Sequence, residues 1–179
     1  MSRRLDAGIL FRDFLFLMLL AMLLLINPPA ADSTTSPPGN IMASIAWPEG
    51  NDDVDLWCRA PDDTLAVGYS NRAGKQTNLV RDDLGNSGDD GPLNYENCYM
   101  RGLRPGEYVV NLHGFRLRAD VPVYVEVRVG GYGERMALVW EGTIELRNKQ
   151  ELTAVRFRLD ANGVLVAGSV TNIYKALRP

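Results

Sequence analysis

The valines at positions 121, 123, 125, 127 and 129 constrain this chain more than any other feature. Alternate residues of an extended strand point to opposite faces, so all five lie on one face of a single strand. Pro122, Tyr124, Glu126 and Arg128 fall on the other face. A helix would scatter the valines around its circumference and would crowd their branched Cβ atoms. One face is therefore buried, and a second layer must bury it. Pro122 has no N–H to give a ladder, which points to a strand start or an edge.

Strand signals of this kind recur about every ten residues. Ile41 to Trp47 is the first, and Asp53 to Cys58 alternates polar with apolar. Thr64 to Tyr69 follows a Pro-Asp-Asp turn, and Arg104-Pro105-Gly106 leads into Glu107 to His113. Met136 to Leu146, Leu152 to Leu159 and Val164 to Val170 complete the set, with Asn148-Lys149 and Asp160 to Gly163 as turns. The expected fold class is mainly β: an antiparallel, jelly-roll-like β-sandwich over residues 41–179. The tail from Thr171 to Pro179 carries no assignment.

Ahead of this domain, Phe14 to Ile26 is the most apolar run in the chain. It would make a helix about 20 Å long, short of a hydrocarbon core of roughly 30 Å. One reading is the apolar region of a cleaved signal peptide, although Asn27 to Asp32 makes a poor cleavage site. The other is an uncleaved transmembrane helix over residues 7–26, about 30 Å long. That helix would follow a cytoplasmic tail at 1–6 and lead into a Pro-rich linker at 27–40. It would hold Arg12 and Asp13 below the headgroups, where an ionisable side chain is a functional candidate. If the helix starts at Phe14 instead, Asp13 is a capping acid at the interface. Arg3, Arg4 and Arg12 precede the run, and no Lys or Arg follows until Arg59. This places the N-terminus in the cytoplasm and the main domain outside a bacterial inner membrane, in the periplasm.

The stretch from Arg12-Asp13-Phe14 through Leu25-Ile26-Asn27-Pro28 resembles the transmembrane segment of the MotB, ExbD and TolR proteins. These are ion-motor subunits with a short cytoplasmic tail, one helix and an extracytoplasmic domain. The resemblance implies that Asp13 carries the translocated proton. It further implies that the helix dimerises and sits inside a pentamer of a multi-helix membrane protein like MotA, ExbB or TolQ. In the outer domain, Asp53-Val-Asp-Leu-Trp57, Tyr69-Ser-Asn-Arg72, Leu79-Val-Arg-Asp-Asp83 and Gly91-Pro-Leu-Asn-Tyr-Glu96 form a second pattern. This pattern resembles a group of bacterial extracytoplasmic β-sandwich domains and implies fold more than role.

A net charge of −3 gives no sign of nucleic-acid binding. The acids crowd between Glu49 and Glu96. Asp53, Asp55, Asp82, Asp83, Asn94 and Glu96 are candidate ligands for calcium, which takes about 6–8 oxygens. The competing reading is a solvated acidic loop with Asx turns. Cys58 and Cys98 form one disulfide if the domain lies in an oxidising compartment, and are two buried thiols otherwise. Trp57, Tyr69, Tyr95 and Tyr99 are either a ligand face or ordinary core and rim residues. His113 is the only histidine, so a zinc site is not expected, and no serine sits in a nucleophile motif. No enzymatic activity is expected. The leading expectation is a subunit of a proton-driven motor. The alternative is a membrane-tethered module that binds protein, glycan or calcium.

Overall fold

The computed structural model describes residues 7–26, 39–85, 94–130 and 135–178. It divides into two compact units, Met1–Thr35 and Ser36–Pro179. In the first, α1 runs over Ala7–Ile26. Its Leu, Met and Ala residues favour the helix, and no proline interrupts it. The helix starts at Ala7 rather than at Phe14. Its side chains from Phe11 to Leu23 are exposed. Among the described residues, no helix is long and apolar enough to cross a membrane.

The second unit is all β. Its strands are β1 (Ile41–Trp47), β2 (Asp53–Arg59), β3 (Thr77–Arg81), β4 (Asn94–Met100), β5 (Gly106–Arg116), β6 (Val121–Val129), β7 (Ala137–Leu146) and β8 (Glu151–Leu159). They form a five-stranded sheet in the order β3-β4-β1-β6-β7 and a three-stranded sheet in the order β2-β5-β8. Every pairing is antiparallel. The inner faces share one core. Ile41, Ala43, Ile45 and Trp47 enter it from β1, and Val121, Val123, Val125 and Val127 from β6. Leu56, Tyr108, Val110, Leu112 and Phe157 enter from the smaller sheet, with the Tyr108 and Phe157 rings stacked 5.1 Å apart.

Several strand expectations change. Thr64 to Tyr69 and Val164 to Val170 do not form ladders; isolated bridges join Cys58 to Val67 and Leu159 to Leu165, and Arg156 bridges Thr171 just beyond. These segments run along the outer edges of β2 and β8 and cover edge N–H and C=O groups that would otherwise be open to another chain. Strands β3 and β4 were not expected, because β4 points Asn94 and Glu96 inward and so breaks the usual polar-out pattern. Pro122 lies near the start of β6, but β6 is not an edge: it sits between β1 and β7.

A disulfide joins Cys58 on β2 to Cys98 on β4, and so ties the three-stranded sheet to the five-stranded one across 40 residues of sequence. In the chain-entropy view, a loop of that length stabilises by about 4 kcal/mol. Reduction, or Cys98→Ala, should lower the denaturant midpoint of the intact protein by an amount equivalent to about 3–4 kcal/mol. A midpoint unchanged by reductant would contradict this.

Candidate functional site

Among several polar clusters, one begins between the sheets at the edge of β2 and another lies on the open face of the larger sheet. The inner group starts with Glu96, only 1 % exposed, on the core-facing side of β4. Its Oε2 accepts the Leu56 N–H at 2.7 Å and its Oε1 accepts the Asp83 N–H at 3.2 Å. Leu56 lies on the edge strand β2, so its N–H needs an acceptor from outside its own sheet. Glu96 supplies one, two residues before Cys98 makes its bridge to Cys58. Burial pushes the Glu96 carboxyl well above the usual range, and the two donated N–H groups oppose this.

The neighbouring acids are held in the same manner. Asp83 accepts the Gly85 N–H at 3.0 Å on one oxygen, and the Tyr95 N–H at 3.1 Å and Arg81 Nη2 at 3.0 Å on the other. On the face of the smaller sheet turned away from the core, Asp55 lies 2.8 Å from His113 Nδ1 on the adjacent strand β5. Burial pushes the Asp55 carboxyl up to about 7. Burial likewise pushes His113 down to about 4, helped by the charges of Arg178 and Lys149. Asp53 is raised to about 6 by burial and by the charge of Asp55, while Arg116 at 3.8 Å opposes that. Asn94 turns away and donates to the Pro48 and Gly50 carbonyls at 3.0 and 3.1 Å.

Five of the six candidate calcium ligands, Asp53, Asp55, Asp82, Asp83 and Glu96, thus share one electrostatic neighbourhood, and Asn94 serves a turn instead. Both oxygens of Glu96 and Asp83 and one oxygen of Asp55 are already engaged in hydrogen bonds. Asp53 Oδ1 and Asp82 Oδ1 are the two buried carboxylate oxygens among the described residues with no hydrogen-bond partner. Among the described residues, no three His, Cys, Asp or Glu side chains stand close enough to hold a metal ion. Asp89 and Asp90 lie outside the described residues. What this geometry does is clasp β4 and the β3–β4 connection onto β2. Asp13, in α1, lies 3.5 Å from Arg12 Nε, with its side chain 60 % exposed.

The outer face of the larger sheet is different. Pairing sets both Tyr95 of β4 and Tyr124 of β6 opposite Ala46 of β1. Across the next row, Asn97 and Glu126 flank Ser44. The small central residues leave a groove of about 310 Å³ between the two tyrosines. Both tyrosines are held. The Arg81 guanidinium packs 4.1 Å from the Tyr95 ring centre, and the Tyr124 hydroxyl donates to Glu141 at 2.8 Å. Arg128 grips both oxygens of Glu126, at 2.7 and 3.0 Å, and this keeps its carboxyl below the usual range.

Of the aromatic residues singled out from sequence, Tyr95 lines this groove. Trp57 is instead buried beneath Tyr69, with ring centres 5.6 Å apart. Tyr124 was missed as a ligand-face residue. Its position opposite the valines marked it as outward-facing, but only the cross-strand register sets it opposite Tyr95. No family model, curated protein or solved structure matches the chain.

Two outcomes follow from the inner cluster. In Glu96→Gln the new –NH₂ faces an N–H donor, so one buried amide loses its acceptor. Stability should fall by about 1–3 kcal/mol in denaturant unfolding, and an unchanged midpoint would contradict the clasp. Asp53 and Asp55 keep protons in the folded state that the unfolded chain releases above about pH 4. Their contribution is therefore lost as pH rises. His113 acts oppositely between about pH 4 and 6.5, but two carboxyls outweigh one imidazole. The unfolding midpoint should decline from about pH 5 to pH 8, and Asp55→Asn should flatten the decline. A midpoint that climbs across this range would contradict the assignment.

Proposed function

We propose that this chain is a membrane-tethered binding module: α1 is the anchor and the β unit presents a ligand surface outside a bacterial-type inner membrane. The observation that carries the reading is the groove between Tyr95 and Tyr124, two exposed aromatic side chains held in place on a rigid sheet. Exposed rings fixed by neighbours suit recognition, because little freedom remains to be lost on binding. The anchor is supported by sequence: residues 7–26 would reach about 30 Å as a helix, and the apolar side chains of α1 are exposed, so they call for lipid or protein cover. The outer placement is supported by the arginines before the helix and by the Cys58–Cys98 bridge, which persists in oxidising compartments.

One observation favours a second reading, the proton-driven motor subunit. Because α1 starts at Ala7, Asp13 falls six residues inside it, roughly 9 Å along the axis. In this reading a partner of several helices surrounds the segment and Asp13 takes up and releases the ion.

Expressed whole in bacteria, the protein should sediment with inner membranes and resist extraction by high salt and alkali. Its β unit should become protease-accessible only when the outer membrane is opened. Release by salt, or a mature N-terminus near Asp32, would overturn the anchor. Asp13→Asn should leave membrane location and groove binding unchanged if the helix is only an anchor. Loss of a proton-dependent activity in that variant would favour the motor instead.

A further inference from the structure

We infer that the Tyr95–Tyr124 groove is a binding site for a neutral glycan chain; this rests on the binding-module reading above. The argument begins with register. Tyr95 and Tyr124 both pair with Ala46, so their Cα atoms lie two strand spacings apart, roughly 10 Å. That distance leaves room between the rings for one six-membered ring with C–H faces. The Ala46 side chain between them is too short to fill the gap.

The rest of the groove determines what such a ring must carry. Its second row offers Asn97, Ser44 and Glu126. The Asn97 side-chain oxygen is buried without a hydrogen-bond partner, and Glu126 is an ionised acceptor steadied by Arg128. These groups ask for donors. No Lys or Arg lines the groove, so a phosphate, sulfate or carboxylate would enter without a counter-charge. An occupant with apolar ring faces and several hydroxyl donors meets both demands: its faces lie against the tyrosines and its hydroxyls serve Asn97 and Glu126. A purely aromatic ligand would strand the Asn97 oxygen. A basic peptide could meet Glu126, but it would leave the slot between the rings unused.

The rigid fixing of the walls supports this. Arg81 packs on Tyr95 from the β3 side, and Glu141 on β7 holds the Tyr124 hydroxyl. Both rings stay 40 and 41 % exposed while held in one orientation, a poor use of two tyrosines unless something lies against them.

The test titrates the full-length protein in mild detergent with neutral tetrasaccharides of β-1,4-glucose, β-1,4-N-acetylglucosamine, α-1,4-glucose and β-1,4-mannose, read by calorimetry. A Lys/Arg-rich decapeptide is titrated in parallel. At least one tetrasaccharide should bind. Tyr95→Ala and Tyr124→Ala should each weaken binding roughly tenfold or more. Tyr124→Phe, which keeps the ring, should retain most of the affinity. Ser44→Tyr should fill the groove and abolish binding with both walls intact, so loss there is not a failure of the walls to fold. Circular dichroism and the oxidised state of Cys58 and Cys98 check each variant's fold. No binding to any tetrasaccharide, or binding that survives Ser44→Tyr, would overturn the glycan assignment. Binding of the basic peptide alone, lost in Glu126→Gln, would also overturn it while leaving the binding-module reading in place. Failure of that reading shows separately, as release of the chain from the membrane.

Discussion

The β unit depends on one cross-sheet contact. Strand β2 is the edge of the smaller sheet, and on its outer side Leu56 and Cys58 have no neighbouring strand of the same ladder. Strand β4 reaches them from the other sheet: Glu96 accepts the Leu56 N–H and Cys98 bonds to Cys58. The two links are spaced two residues apart on each strand, so they act in parallel on the same faces. The bond from Glu96 also reaches the Asp83 N–H and so carries the clasp into the β3–β4 connection. A buried carboxylate is costly in an apolar interior, and it is tolerated here because both oxygens meet donors. Remove those donors and Glu96 becomes an unpartnered polar group in the core.

The same arrangement supports the groove. Within β4, Glu96 and Cys98 face inward while Tyr95, Asn97 and Tyr99 face outward. Fixing the inner residues therefore fixes the outer ones, because neighbours on a strand share one backbone. Asp83 adds a second tie: it accepts the Tyr95 N–H and orients Arg81, which packs on the Tyr95 ring. Asp83 and Glu96, two of the acids that look like a cation site in the sequence, thus act here as acceptors that hold an aromatic wall from behind.

Much of the fold was legible in the chain. The valine alternation placed β6 with its boundaries intact, and Ile41–Trp47 was read as the first strand because its inward residues are all apolar. What was missed has a common cause. β4 points Asn94 and Glu96 into the interior, so its polar and apolar residues do not alternate in the expected sense. Its partner β3 is only Thr77–Arg81, too short for periodicity to stand out. Thr64–Tyr69 and Val164–Val170 have the composition of strands, yet they bridge singly at sheet edges, and composition cannot tell an edge cover from a ladder. The candidate site shows the same limit. Tyr95 and Tyr124 are 29 residues apart in sequence, and only their shared register with Ala46 makes them a pair. Five of the six candidate oxygen ligands do lie near one another, but which oxygens are already occupied depends on backbone N–H directions that a sequence does not display.

The clasp between β4 and β2 makes the groove face rigid. Residue-resolved amide hydrogen exchange on the intact, oxidised protein tests it most directly. The Leu56 and Asp83 amides should exchange only through global unfolding, at the same rate as the amides of the central strand β1, and Leu56 should lose that protection on reduction of the disulfide. If Leu56 and Asp83 exchange quickly while β1 stays protected, Glu96 is not holding the sheets together and the account fails.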